Sequence, residues 1–283
     1  MINFANSNTT KFVRQMWKIC FGDNDDYINL YFSKVYNENN TLIYLEGDTI
    51  TASLQMLPYT INFYGESVPF YYLAGLCTLP EHRRKGYMEQ LIFKSYEVMK
   101  KRNIPLAILI PAEKWLFSFY EKYGFEQISD GSIYELPSIK DILDSSVDLQ
   151  KAYRVFDKTF NTKNLSIQKS YEDFEIIIED AKLEDFPPKY NLASMAYIID
   201  TEYMLNIYAK KNNTLDFTVQ TTNNLKYHIS NGEARLTNTK GYDFNADNKL
   251  LTRLLFGYKT DSLNAPYKNL FPNQQVNINL MLE

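Results

Sequence analysis

The chain has little of several things that carry common chemistries. It holds two histidines, His82 and His228, and two cysteines, Cys20 and Cys77, among 283 residues. Two histidines exclude a multi-histidine metal centre, and two thiols without CxxC spacing argue against a mixed Cys/His zinc site. The same two thiols argue against a disulfide framework and fit a reducing, cytoplasmic compartment. Apolar runs are short: "LAILI" is far below the roughly 20 residues that a helical membrane span needs. The first residues, "MINFANSNTTKFVRQMWKICF", lack the apolar core of a signal peptide. No GxSxG, Walker A or GxGxxG signature occurs. Net charge is −4, so bulk electrostatics does not favour nucleic acid, and a cationic partner is the more compatible one.

What is present is core-forming material. Hydrophobic content is 45%, with 23 Tyr and 18 Phe, which suits a packed, strand-containing protein of one large or two ordinary domains. Phe12, Val13, Met16, Trp17 and Cys20 recur at helical spacing, and "YINLYFSKVY" resumes that pattern. Two segments then alternate in period two: "TLIYLEGDTITASLQML", turning at Gly47-Asp48, and "YTINFYGESVPFYYLAGLCTL", turning at Tyr64-Gly65-Glu66. They predict a meander of about four strands. A helix is expected from Gly86 to Lys101, a buried strand in "PLAILIP", and a short helix in "EKWLFSFYEKYGF" stopped by Gly124. The Leu76–Leu79 strand, the helix after it and the 105–110 strand make one βαβ unit with a right-handed crossover. Residues 139–188 read as a helical connector ending at Pro187-Pro188. From 189 a second set of helices and strands follows, with a type I′ hairpin signal at Asn231-Gly232.

One stretch concentrates charge. "PEHRRKGYMEQLI" places His82, Arg83, Arg84 and Lys85 directly before Gly86, at the mouth of a helix. A helix N-terminus already offers unpaired N–H groups and about half a positive charge, and phosphate binds there readily. Gly86 lets the backbone approach a ligand oxygen. An isolated basic turn reads first as a solvated surface loop; its position inside a βαβ unit, leading into an amphipathic helix, reverses that in favour of an anion cradle.

With those residues in view, "LAGLCTLPEHRRKGYMEQLI", "PLAILIP" and "SFYEKYGF" resemble the GCN5-related N-acetyltransferase (GNAT) superfamily, whose signature is R/Q-x-x-G-x-G/A. Arg83 and Gly86 match it, and Met88 departs from its last position. That departure resembles the enhanced intracellular survival (Eis) branch, as do "AYIIDTEYML" and "LLTRLLFG" of that branch's sterol-carrier-protein-like C-terminal domain. The implied fold is α/β (α+β): an acyl-CoA N-acyltransferase domain with a mixed sheet at 1–138, the connector at 139–188, and a small α+β sterol-carrier-like domain at 189–283. Eis-type chains carry a second acetyltransferase-like domain where this chain has only the connector. Homo-oligomerisation and the acceptor-pocket shape are therefore left open.

The resemblance implies acetyl-CoA as cosubstrate, no metal, and a small-molecule or peptidyl primary amine as acceptor, with no nucleic acid or membrane partner. By position, Leu76, Cys77 and Thr78 would line the pantetheine arm as an added strand. The amides of Arg84, Lys85, Gly86, Tyr87 and Met88 would cradle the pyrophosphate, with charge from Arg83 and Arg84. Cys77 itself reads as a small buried residue and not a nucleophile. Tyr120, four residues before Gly124, would protonate the departing thiolate, although a packing tyrosine has the same pattern. In the Eis branch the chain's own terminal carboxylate enters the site, which points to Glu283 as the group that takes the amine proton. Asp25 and Asp26 either attract a cationic amine or form a solvated charge run. A non-catalytic CoA- or lipid-binding module is the competing expectation.

Overall fold

The computed structural model describes residues 1–222 and 224–281. Its first strand, β1 (Ile2–Phe4), is followed by α1 (Ser7–Phe21) and α2 (Asp25–Lys34). Local chemistry sets both helices. The Asn6 side chain accepts from the amides of Asn8 and Thr9 while Thr9 Oγ1 accepts from the Asn6 amide, a reciprocal cap, and Gly22 ends α1 at φ 76°. Asn24 caps α2 one-sidedly, its Oδ1 accepting from the Tyr27 amide at 2.8 Å.

Then come β2 (Thr41–Glu46), β3 (Thr49–Phe63) and β4 (Glu66–Thr78). Three long strands thus replace the expected four. Pro58 lies between the part of β3 that pairs with β2 and the part that pairs with β7, where the ladder asks less of an N–H. A crossover helix, α3 (Tyr87–Lys101), leads to β5 (Leu106–Leu109), and α4 (Lys114–Glu121) to β6 (Glu126–Ser129). The strand pair β4–β5 is parallel, so the βαβ unit is present.

The connector holds α5 (Ile139–Asp144), α6 (Leu149–Phe160), β7 (Ser166–Gln168) and α7 (Tyr171–Leu183). It is not only helical, because β7 adds to the far end of β3. After it, β8 (Ser194–Ile198) inserts between β5 and β6, giving the order β1-β2-β3-β4-β5-β8-β6. The boundary drawn at 188/189 therefore precedes a strand of the first sheet. The short run "SMAYI" carries no local mark of that distant pairing. Next come α8 (Thr201–Lys211), β9 (Phe217–Thr221), β10 (Lys226–Ser230), β11 (Glu233–Thr237), β12 (Phe244–Ala246) and α9 (Asn248–Leu255). Their strands form a second sheet, β11-β10-β9-β12. Asn231 and Gly232 both have positive φ, as a type I′ hairpin requires.

One apolar cluster joins the two sheets. Phe63 of β3 meets Phe256 at 5.4 Å between ring centroids, and Tyr64 Oη donates to the Leu255 carbonyl at 2.9 Å. The C-terminal segment docks into the same body: Asn277 N–H donates to Leu165 O at 2.8 Å and Leu192 N–H to Ile278 O at 2.7 Å. Val276, Ile278, Leu280 and Met281 are buried.

Lys169, just after β7, is buried at 2% exposure with no hydrogen-bond partner for its ammonium among the described residues. Its backbone is fixed by Asn161 and Tyr153. Burial pushes the ammonium down to about 7 against the opposing pull of Asp173. In the unfolded chain it is protonated up to about 10.5, so folding releases a proton between those values and stability rises with pH across that window. Lys169→Met is expected to stabilise the fold at pH 7 by several kcal/mol as an order of magnitude. Urea denaturation at pH 7 and pH 9.5 checks this: the parent gains stability with pH and the variant loses that gain.

Candidate active site

Two strands that begin paired separate where the site lies. The parallel register of β4 and β5 runs from Phe70↔Leu106 to Tyr72↔Ile108. Beyond it, β5 continues beside β8 through Leu109↔Met195, while β4 continues beside β3 to Ala52↔Thr78. The β4 edge facing β5 is thereby released along residues 73–78.

A bulge shapes the released edge. Ser53 pairs with Cys77 and Gln55 with Ala74, so Gly75 and Leu76 together oppose Leu54. Before the bulge, Tyr71 and Leu73 face the α3 side and Phe70, Tyr72 and Ala74 the α1–α2 side; after it, Leu76 faces α3 and Cys77 faces α1. Gly75 has φ 57°, and a Cβ there would lie 2.7 Å from Trp17 Cζ3 and 2.8 Å from Gln55 Nε2. Only glycine fits both the dihedral and the space.

Below the bulge sits a polar group that the sequence reading missed. Tyr31 Oη donates to Gln55 Oε1 at 3.0 Å, and Trp17 Nε1 donates to Asp23 Oδ2 at 2.6 Å. Gln55 is 1% exposed and its Nε2 donor has no partner among the described residues. The usable signal was Gly75 itself, an isolated glycine in a strand pattern.

At the end of β4 the basic turn enters α3. Arg84 has φ 63° and Gly86 φ 76°, and among the described residues no side chain caps the helix. Among the described residues the amides of Arg84 to Met88 donate to no other protein group, while Gln90 N–H already bonds Gly86 O at 3.2 Å. The positive side chains are unequal. Glu46 accepts from His82 Nδ1 at 2.7 Å and from Lys85 Nζ at 3.2 Å. Its carboxyl is held down at about 2 by hydrogen bonds from Tyr87 first, then from Lys85 and His82. Tyr87, stacked on Tyr44 at 4.1 Å, is correspondingly pushed up to about 12. Arg83 Nε donates to Thr78 O at 3.1 Å and so ties the turn to the strand. That carbonyl is therefore engaged, whereas Gly75 and Leu76 both lie outside the β3–β4 register. The exposed Arg84 makes no ion pair or side-chain bond among the described residues.

Leu76, Tyr87, Met88 and Tyr120 meet in one apolar cluster on the α3 side. Tyr120 is 7% exposed and packs edge-on against Phe119 and Phe125. Burial pushes its phenol well above the ordinary value, so it is protonated throughout the neutral range. Asp25 and Asp26 lie elsewhere, in the first turn of α2, where Asp25 is paired with Lys18 at 2.6 Å and both residues are exposed. Glu283 lies outside the described residues. His228 contacts Thr218 in the second sheet. Among the described residues no group of three or more His, Cys, Asp or Glu is placed to hold a metal ion, and no helix is long and apolar enough to cross a membrane.

A split parallel pair, a bulge at the split and an uncapped helix mouth beside it make up the candidate site. Residues 2–128 match the model of the "Acetyltransferase (GNAT) domain" family. That segment is therefore similar to GNAT acetyltransferase domains, a class of acyl-CoA-dependent N-acetyltransferases. Among solved structures, a GCN5-related N-acetyltransferase from Anabaena variabilis is similar at TM-score 0.66 and 11% identity, over 98% of this chain and 94% of that one. Eis1 from Mycobacterium abscessus is similar at TM-score 0.65 and 10% identity, over 98% of each chain. An Enterococcus faecalis protein described as a probable N-acyltransferase is similar at TM-score 0.61 and 14% identity, over 99% and 97%. These TM-scores and coverages show a shared fold that extends well past residue 128. Sequence comparison with curated proteins gives no match.

Proposed function

We propose that the chain moves an acetyl group from acetyl-CoA to a primary amine by direct attack within a ternary complex. The observation that carries this is the uncapped mouth of α3, with Gly86 in the left-handed region, next to a β4 edge released from β5. The amides of Arg84 to Met88 and the Arg84 guanidinium receive the pyrophosphate. The edge at Leu76 receives the pantetheine arm as a strand. The attacking amine must be neutral, and an alkyl amine has a pKa of about 10.4, so a base is required. The Glu283 terminal carboxylate takes that proton, directly or through water. The carbon–sulfur bond breaks as the amide forms, and Tyr120 protonates the departing thiolate. Asp25 and Asp26 attract the cationic form of the acceptor before it enters. The second sheet with α8 and α9 is read as the sterol-carrier-like unit.

The cradle makes a graded expectation. Arg84→Ala should weaken acetyl-CoA binding about tenfold, since a charge-assisted bond contributes roughly 1.5–3 kcal/mol. Lys85→Ala should cost less, because Glu46 already holds that ammonium. Calorimetric titration of both variants checks the order; equal losses would remove the distinction.

The function is tested by following free CoA release from acetyl-CoA against a panel of polyamines, amino sugars and lysine peptides. Acceptor-dependent release with an N-acetylated product is expected. Acetyl-CoA binding with no release for any amine would favour the non-catalytic module. Residues appended after Glu283 should impair release if the terminal carboxylate is the base, and a fully active extended chain would remove that role.

A further inference from the structure

The two cysteines, 57 positions apart, meet on the face of β4 opposite Tyr120. The bulge at Gly75 brings this about. Without the extra residue, Cys77 would share the α3 side with Tyr71 and Leu73; with it, Cys77 turns to α1 and the last turn of that helix supplies Cys20. The two thiols lie close enough to perturb each other's titration. Cys77 is 5% exposed, with Ser53 Oγ at 3.2 Å from its sulfur. Cys20 is half-buried, and its Sγ reaches the Thr78 carbonyl at 3.7 Å. From the basic turn, Arg83 faces Cys20 attractively and Glu81 opposes it.

The two environments differ in a useful direction. Cys20 is lowered to about 7, first by the hydrogen bond from Cys77 and then by Arg83, against the cost of burial. Cys77 is raised, first by Cys20 and then by burial, and so stays a thiol that donates to its neighbour. An accessible thiolate touching a buried, protonated thiol is the arrangement of an attacking sulfur with a resolving partner.

We propose that Cys20 is a site of oxidation by hydroperoxides and that Cys77 is its resolving thiol. The Cys20 sulfur attacks a peroxide oxygen, the O–O bond breaks, and two electrons pass from sulfur to the hydroperoxide. This leaves Cys20 as a sulfenic acid and releases an alkoxide or hydroxide, which takes a proton from water. Cys77 then attacks the Cys20 sulfur. The S–S bond forms, the S–O bond breaks, and the Cys77 proton leaves with the hydroxyl as water. Two thiols and one hydroperoxide give one disulfide, one alcohol or water, and one further water. Closing the bond brings the sulfurs to about 2.05 Å, which requires the last turn of α1 and the end of β4 to draw together.

A thiol at about 7 is half ionised at pH 7, about 50-fold more than one at 9, while its weaker nucleophilicity returns roughly eightfold of that. A net advantage of about sixfold per accessible sulfur remains. Oxidation also removes the thiolate charge that faces Arg83, the residue that ties the basic turn to Thr78. Resting on the acetyl-CoA reading above, the disulfide form should bind acetyl-CoA with altered affinity.

The test needs no substrate. The reduced full-length protein is treated with hydrogen peroxide, blocked with an alkylating agent, and digested without reductant. The expected product is a linked peptide joining Cys20 and Cys77. Cys77→Ser, which keeps a polar contact to Ser53, should leave a dimedone-trappable sulfenic acid at Cys20. Cys20→Ser should leave Cys77 unmodified. The alkylation rate of Cys20 in the parent should have its pH midpoint near 7. Two free thiols after peroxide under native conditions, or oxidation of Cys77 in the Cys20→Ser variant, would overturn the proposal. So would a Cys20 midpoint at the ordinary thiol value. Acetyl-CoA affinity of the oxidised form is read separately, so a failure of the acetyltransferase reading leaves the thiol result standing.

Discussion

Tyr120→Phe should lower kcat by about 100-fold or more while acetyl-CoA affinity stays within about twofold. General acid catalysis is worth roughly 10²–10⁴ in rate, and the phenol oxygen is the one atom the substitution removes. The ring remains, so the packing against Phe119 and Phe125 is retained and the fold should be unchanged. Burial raises the Tyr120 phenol. The sign follows: the acid form persists beyond its usual range, so Tyr120 sets no falling limb below about pH 10. Between pH 6 and 9 the parent's kcat/KM should rise as acceptor amine deprotonates. Steady-state kinetics with calorimetry on the same variant separates the outcomes. An unchanged kcat would return Tyr120 to a packing role, and a loss of acetyl-CoA binding would make it structural.

Gly75→Ala should be the most damaging single methyl in the N-terminal sheet. The added Cβ would meet Trp17 Cζ3 at 2.7 Å and Gln55 Nε2 at 2.8 Å, at a residue held at φ 57°. Left-handed backbone and overpacking each cost about 1–3 kcal/mol. A loss of roughly 2–4 kcal/mol, or about 5–10 °C in Tm, is expected. Gly86→Ala is the control, since its nearest neighbour would be Glu89 Oε2 at 3.7 Å. It carries the dihedral cost without the clash and should lose about 1 kcal/mol. Calorimetric melting of the two variants side by side decides whether space or dihedral dominates at the bulge. Equal losses would mean that the bulge relaxes around the methyl.

The parts of this molecule that were readable from its sequence are those set by neighbours in the chain. The apolar spacing of α1, the Gly86 entry to α3, the glycine after α4 and the Asn231-Gly232 hairpin all follow from local rules, and all are found. The site was readable where it is made of one segment, the turn from Arg83 to Met88. What escaped depends on pairing across long separations. Nothing in "SMAYI" says that it lies between β5 and β6, nor in Ser166–Gln168 that it extends β3. Gln55 and Tyr31 became visible only when the bulge brought them under Gly75. The basic turn was also read too uniformly. Its charge is divided by Glu46, a residue 36 positions before His82, so that Arg84 is left as the exposed cation.

The central claim is that the mouth of α3 and the released edge of β4 hold acetyl-CoA. Titration of acetyl-CoA into the full-length protein by calorimetry tests it most directly. One site per chain is expected, weakened by Arg84→Ala and by added salt. No heat of binding at millimolar acetyl-CoA would contradict it.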